Sequence, residues 1–262
     1  MAQPAHRDRS SASEKGRIIK QPIGRRGSLS GPLMFLVVVV AAIFVMSVFF
    51  RVSDISVEGN THYTDTEIIR AIDIEDGDNL FFFDRFAAVS RVFAKLPYIE
   101  QVSVERSLPN KVVISVVEST ALAYIELGDE QWTLDHSCKV LGKAAAGETR
   151  NMLPIVGIDP GTLYIGETLT TADNNSDVVQ QLSEILYQME TRGLNYYVTK
   201  LDFTDISSVE FSYDGRYTVI IGNRENIEHK FGMFVAVMDK LLEGDTGIID
   251  VSDGVTGHFS PY

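Results

Sequence analysis

Apolar positions along this chain follow different rhythms in different places. From Pro32 to Phe50 they are continuous: PLMFLVVVVAAIFVMSVFF carries no charge over 19 residues. At about 1.5 Å per residue, a helix over this run spans roughly 28 Å, close to the thickness of a bilayer's hydrocarbon core. Thirteen of the 19 are Leu, Ile, Val or Phe, which favours insertion by on the order of 4–6 kcal/mol. A membrane-spanning helix is therefore predicted over 32–50, with Pro32 in the first turn, where a helix tolerates it. The alternative is a cleaved signal peptide, whose apolar core runs about 7–15 residues to a small-residue cleavage site. This run is longer and ends in Val48-Phe49-Phe50-Arg51.

The next stretch alternates between strand and helix periods. Val52 to Gly59, with Ile55 and Val57 in phase, reads as a strand. Thr64-Asp65-Thr66-Glu67 matches a capping box and predicts a helix from Thr64 to about Ile72, buried through Ile68, Ala71 and Ile72. Asp76-Gly77-Asp78 is a turn signal. Asp84 suits the start of a second helix whose Phe86, Val89, Phe93 and Leu96 recur at helical spacing, and Pro97 stops it. Val102 and Val104 mark a strand, Leu108-Pro109-Asn110 a turn, and Lys111 to Glu118 a further strand with Val112, Ile114 and Val116 in phase. The predicted order is β-α-α-β-β.

A β-rich region follows. Strands are predicted at 121–125, 131–134, 154–158, 198–203, 208–213, 217–221 and 247–251, with Asp214-Gly215 as a hairpin turn. One helix is expected to bury Val178, Leu182, Ile185, Leu186 and Met189. Another is expected to bury Phe231, Phe234, Val235, Met238, Leu241 and Leu242. Residues 255–262 are expected to be a short tail. The fold class is α+β: a membrane helix at 32–50, one module over 51–119, and a second over 120–254.

Charge divides along the same lines. The chain has 23 basic and 36 acidic residues, net −13. Residues 1–31 hold seven basic and two acidic residues, whereas 52–262 hold 15 and 34, a net of −19. An acidic body argues against nucleic acid as a partner. The basic tail precedes the apolar run, so the positive-inside rule places 1–31 in the cytoplasm and 51–262 outside. The tail's Ser, Gly, Arg and Pro content predicts disorder. A single cysteine, Cys138, precludes an intramolecular disulfide.

Residues with catalytic chemistry are sparse. None of His6, His62, His136, His229 and His258 forms a metal-ligand pair, and no Walker loop, G-x-S-x-G or S-x-x-K is present. Asp135-His136-Ser137-Cys138 contains acid, base and nucleophiles, but on a strand consecutive side chains point to opposite faces, so a polar turn or strand edge is expected. Phe81-Phe82-Phe83 is expected to anchor a loop in the core, since exposed apolar patches are uncommon. No cofactor and no metal are predicted, and no catalytic residue is assigned.

Two groups of residues carry a resemblance. Ile55-x-Val57-x-Gly59-Asn60-x-x-Tyr63-Thr64 with Ile68 resembles the opening of POTRA domains. Pro97-Tyr98-Ile99, Val102-x-Val104-x-Arg106-x-x-Pro109 and Val112-x-Ile114-x-Val116-x-Glu118 resemble their closing hairpin. A single membrane helix, one such module and then a β-rich module resemble the FtsQ/DivIB family of bacterial division proteins over about residues 32–254. The resemblance implies a non-catalytic divisome scaffold in the cell membrane at the septum. Its implied partners are FtsL and FtsB (DivIC in Gram-positive lineages), bound by strand addition, and its implied role is to link ring assembly to septal peptidoglycan synthesis.

Within this family the membrane-distal end of the β domain captures a partner's juxtamembrane segment. The stretch of this chain that matches is Ile248-Ile249-Asp250-Val251-Ser252-Asp253, with Phe259 as a further candidate. From the residues alone, 247–251 either offers an open edge or merely completes a sheet. Were the edge open, Val251→Pro would remove one of its N–H donors. Two other classes stay open: a translocation module, since POTRA domains also feed outer-membrane barrels, and a membrane-anchored hydrolase.

Overall fold

In a computed structural model, residues 30–262 are described; of the basic tail read at 1–31, residues 1–29 lie outside them and Ser30 and Gly31 begin the first helix. The uncharged run forms helix α1 (Ser30–Phe49). Leu33, Phe35 and Phe44 on it are all more than half exposed, and an all-apolar exposed surface of this length fits a lipid environment.

The next elements follow the predicted order: β1 (Asp54–Glu58), α2 (Asp65–Ile72), α3 (Arg85–Lys95), β2 (Ile99–Ser107) and β3 (Lys111–Glu118). They build a sheet of order β1-β3-β2, with β1 parallel and β2 antiparallel to the central β3. The capping box is present: Thr64 Oγ1 accepts from the Glu67 amide, and Glu67 accepts from the Thr64 amide at 2.9 Å. Val112, Ile114 and Val116 of β3 meet Ile68, Ile72 and Val92 in one core. Each such side chain contributes about 1.5–3 kcal/mol through burial.

The buried face of α3 differs from the predicted one. Ala88, Val92 and Leu96 face the core, Val89 is partly buried, and Phe86 and Phe93 are exposed. Small residues on the inner face let α3 pack closely on α2 and β2, which the larger Phe side chains would prevent. The Phe81–Phe83 loop also differs in part. Phe81 and Phe83 pack against the core, but Phe82 between them is exposed.

The β-rich region contains β4 (Ala123–Leu127), β5 (Glu130–Leu134), β6 (Val140–Lys143), β7 (Leu153–Val156), α4 (Ser176–Thr191), β8 (Val198–Asp202), β9 (Val209–Tyr213), β10 (Tyr217–Gly222), α5 (Ile227–Met238), β11 (Gly247–Asp250) and β12 (His258–Pro261). Among the described residues its strands form one sheet in the order β12-β11-β10-β9-β8-β7-β4-β5-β6. Leu182, Ile185, Leu186 and Met189 of α4 and Phe231 and Phe234 of α5 pack in its core. Leu242, expected in the α5 face, lies beyond the helix and is exposed.

Two strands were not predicted. β6 contains Gly142 and Lys143, which weaken a strand pattern. β12 is short and contains Pro261. Residues 255–262 are therefore not a tail: β12 extends the sheet beyond residue 254.

Candidate partner-binding edge

The geometry at the end of the large sheet corrects the expected site. β11 is parallel to β10 on one side and antiparallel to β12 on the other, so Ile248 to Val251 form no open edge. Ile249 and Val251 are fully buried, and the Val251 amide donates to the Ile220 carbonyl at 3.0 Å. A proline at 251 would therefore break an internal bond of the sheet rather than an outward one. Ile248, Asp250 and Ser252 are half-buried, while Asp253 is exposed.

Asp253 organises the turn that carries the chain from β11 to β12. Its Oδ1 accepts from the amides of Val255 (2.9 Å) and Thr256 (3.0 Å), and its Oδ2 accepts from the Thr256 hydroxyl. The Thr256 and Val255 amides hold its carboxyl well below the usual range, at about 2. Asp250 similarly accepts from the Ser252 amide. Behind this turn, Lys230 is almost fully buried and its Nζ donates to the backbone and side-chain oxygens of Asn223 at 2.9 Å.

Among the described residues β12 itself is the open edge. The Tyr262 amide donates to the Thr246 carbonyl at 3.1 Å, so by antiparallel alternation residues 258, 260 and 262 bond inward and Phe259 presents its N–H and C=O outward. Pro261 shares the outward phase and has no N–H, a feature that limits unwanted pairing. The Phe259 ring turns inward, opposite Ile249 and 6.3 Å from the ring of Tyr217. Exposed apolar side chains flank the strand: Leu242 and Tyr262 at one end and Val255 at the other. At the opposite edge of the sheet, β6 is partly covered, since Val140 exchanges backbone bonds with Gly166 and Glu167.

The residues that suggested catalysis form a turn. The Cys138 amide donates to the Asp135 carbonyl at 3.0 Å, and Ser137 bonds the Asp135 carboxylate directly through its amide and its hydroxyl. His136 points elsewhere, with Nδ1 3.1 Å from Glu190 Oε2. Cys138 is buried, which raises its thiol pKa far out of the reactive range. Asp135, also fully buried, accepts from Ser119 Oγ at 2.9 Å, tying the end of β3 to the large sheet. Sequence reasoning missed this role; a buried acid beside small hydroxyl residues was its only signal.

The motif that suggested the small module also has a physical basis. Gly59 has φ +88°, and a Cβ there would lie 2.2 Å from the Val116 carbonyl oxygen. Glu118 closes the loop after it, accepting from the amides of Thr61, His62 and Tyr63 and from the Thr61 hydroxyl.

An apolar N-terminal helix, a β-α-α-β-β module and a β-rich region with β12 at its edge define a class of α+β proteins. Residues 50–119 match the model of the POTRA domain, FtsQ-type. The chain is 24% identical over 221 residues to the cell division protein DivIB of Clostridium botulinum, covering 84% of this chain and 85% of that one. It is 23% identical over 230 residues to DivIB of Bacillus subtilis, covering 88% and 82%. It is 33% identical over 122 residues to the cell division protein FtsQ of Syntrophotalea carbinolica, covering 47% and 43%. Residues 50–119 are thus a POTRA domain of the FtsQ type, and the chain is similar over most of its length to cell division proteins of the DivIB and FtsQ kind.

Proposed function

We propose that this chain is a non-catalytic scaffold of the division machinery. In this reading 1–31 lie in the cytoplasm, 32–50 span the membrane, 51–119 form the POTRA module outside it, and the β-rich module extends through β12. The modules capture partner proteins at the septum and so link ring assembly to peptidoglycan synthesis. The partners are FtsL and FtsB/DivIC-type proteins.

The observation that carries this reading is the open edge of β12. An extended partner segment pairing there gains main-chain hydrogen bonds, and the flanking Leu242, Val255 and Tyr262 offer apolar contact on either side. Membrane anchoring confines both partners to two dimensions and raises their effective concentration. The recognition strand is thus β12 with Phe259, while Ile248 to Asp253 position it from behind. The Asp135–Ser137 turn gives the hydrolase reading no support.

Full-length protein in detergent, mixed with the extracytoplasmic segments of the partners, provides the test. Phe259→Pro deletes the outward N–H, whereas Phe259→Leu keeps it. Capture lost in the first and retained in the second is the expected result. Equal capture by both would remove β12 from the mechanism.

A further inference from the structure

We propose that the Phe81–Phe83 loop and Phe86 of the POTRA module dock into the lipid interface of the membrane at the point where the apolar run ends, using Phe82 and Phe86 as inserted side chains. The inference rests on the reading of 32–50 as a membrane span.

Exposure is the first observation. Phe82 is 68% exposed and Phe86 83% exposed. Leaving two such rings in water forgoes about 1.5–3 kcal/mol each. Phe82 lies in the turn before α3 and Phe86 in its first turn, where the inward positions are taken by Ala88 and Val92.

Position is the second. Phe50 closes the uncharged run, and its carbonyl accepts from the Leu80 amide at 2.8 Å. The Phe50 and Phe81 rings meet edge to face at 5.1 Å, and Arg51 bridges Asn79. The loop is thus fastened to the residue at which the chain leaves the hydrocarbon. Phe82 is two residues from Leu80, about 7 Å of chain at most. The interfacial zone on each side of the hydrocarbon core is about 5–7 Å deep, so the loop lies within reach of it.

Charge is the third. In a region, 51–262, of net −18, Arg51, Arg85 and Arg106 adjoin this loop. Arg106 places its guanidinium 4.8 Å from the centre of the Phe83 ring and donates to the Phe83 carbonyl. Arg85 donates to the Val104 carbonyl on the neighbouring strand. The nearest acid, Asp84, is engaged as the cap of α3, accepting from the Phe86 and Ala87 amides. The acidic turn at 75–78 is fastened one position further along, through the two backbone bonds between Val52 and residues 77 and 78. Aromatic rings beside arginines at the end of an apolar span are the side-chain set that settles at an anionic lipid surface.

The test uses the full chain reconstituted in phosphatidylglycerol–phosphatidylcholine vesicles whose acyl chains are brominated near the carbonyl. Trp132, the only tryptophan, is first replaced by Phe, which loses no hydrogen bond because its buried Nε1 has no partner among the described residues. Phe82→Trp then reports lipid contact by fluorescence quenching, and Tyr196→Trp, at an exposed position of the β-rich region, serves as the water-exposed reference. Quenching several-fold stronger at position 82 is the expected result. Equal quenching at the two positions in protein that resists alkaline extraction overturns the docking alone. Release of the protein by alkaline extraction overturns the membrane-span reading, and the docking with it.

Discussion

Lys139, in the turn before β6, donates its Nζ to the main-chain carbonyl of Ile99, the first residue of β2, at 3.0 Å. The same Nζ is 3.8 Å from Asp135 Oδ2. That carboxylate also binds Ser119 Oγ and the Lys139 amide. The POTRA module and the large sheet are therefore joined by a buried polar network rather than by a free linker. Asp135→Ala should lower unfolding free energy by about 2–4 kcal/mol, because it leaves several buried donors without an acceptor. Lys139→Met keeps Asp135 but removes both the tie to Ile99 and the charge 3.8 Å from the Asp135 carboxylate. It should cost about 1–2 kcal/mol and speed amide exchange around Ile99 and Ser119. Denaturant titration and hydrogen exchange on the full chain in detergent measure both effects; unchanged exchange around Ile99 in Lys139→Met would show that the tie is dispensable.

Glu118 is the equivalent fastening inside the POTRA module. Partial burial pushes its pKa up, but the His62, Tyr63 and Thr61 donors outweigh this and hold it below the ordinary carboxylate range. A carboxyl depressed in the folded state contributes stability that is present above its unfolded value and is lost as pH falls through the folded one. Stability of the module should thus fall on acidification below about pH 4. Glu118→Gln, which has a single acceptor oxygen, should cost about 1–3 kcal/mol at neutral pH and flatten that acid dependence. Melting curves of the two proteins from pH 7 to pH 3 would settle it; parallel curves would exclude Glu118 as the cause.

Much of the fold was legible in residue pattern because pattern and burial coincide there. The α2 capping box, the alternation of Val112, Ile114 and Val116, and the α4 face around Leu182 and Ile185 all depend on local spacing. The failures share one cause, which is that spacing does not say what an element packs against. Phe86 and Phe93 have helical spacing, yet α3 buries its small side, since close packing on α2 and β2 favours Ala88. The open edge of the large sheet lies one strand beyond the expected one for a related reason. His258 to Pro261 is too short and too polar to read as a strand, and only pairing with β11 makes it one. Phe259 was a candidate only through the family resemblance, and its neighbours in the strand carried no signal of their own.

Acid should loosen the turn that presents β12. Asp253 has a carboxyl pKa of about 2, held there mainly by the Thr256 and Val255 amides. Those bonds are complete above the unfolded carboxyl value near 4 and are lost as pH falls through about 2. The amide resonances of Val255 and Thr256 should titrate together with that low midpoint, and Asp253→Asn should abolish the titration. A midpoint at the ordinary Asp value in the unaltered protein would mean the turn is not held as described. Because the turn precedes β12 directly, Asp253→Asn should also weaken partner capture at neutral pH.

Gly247 gives the sharpest separation between fold and function. It begins β11 and is opposite Pro261 of β12. A Cβ at this position would lie 2.3 Å from the Ser260 carbonyl oxygen and 2.8 Å from the Phe259 ring. Backbone oxygen cannot yield at that distance without moving the strand, so Gly247→Ala should push β12 away from β11. The cost should be about 1–3 kcal/mol, borne by the edge, because β10 and the α5 face hold the rest of β11 through Ile249 and Val251. Two measurements read this out. Exchange at the Ser260 and Tyr262 amides should accelerate while that at Val219 and Ile221 stays slow, and partner capture should fall with it. Fast exchange at Ser260 with undiminished capture would show that partners bind elsewhere, and the POTRA sheet edges would then be the place to look.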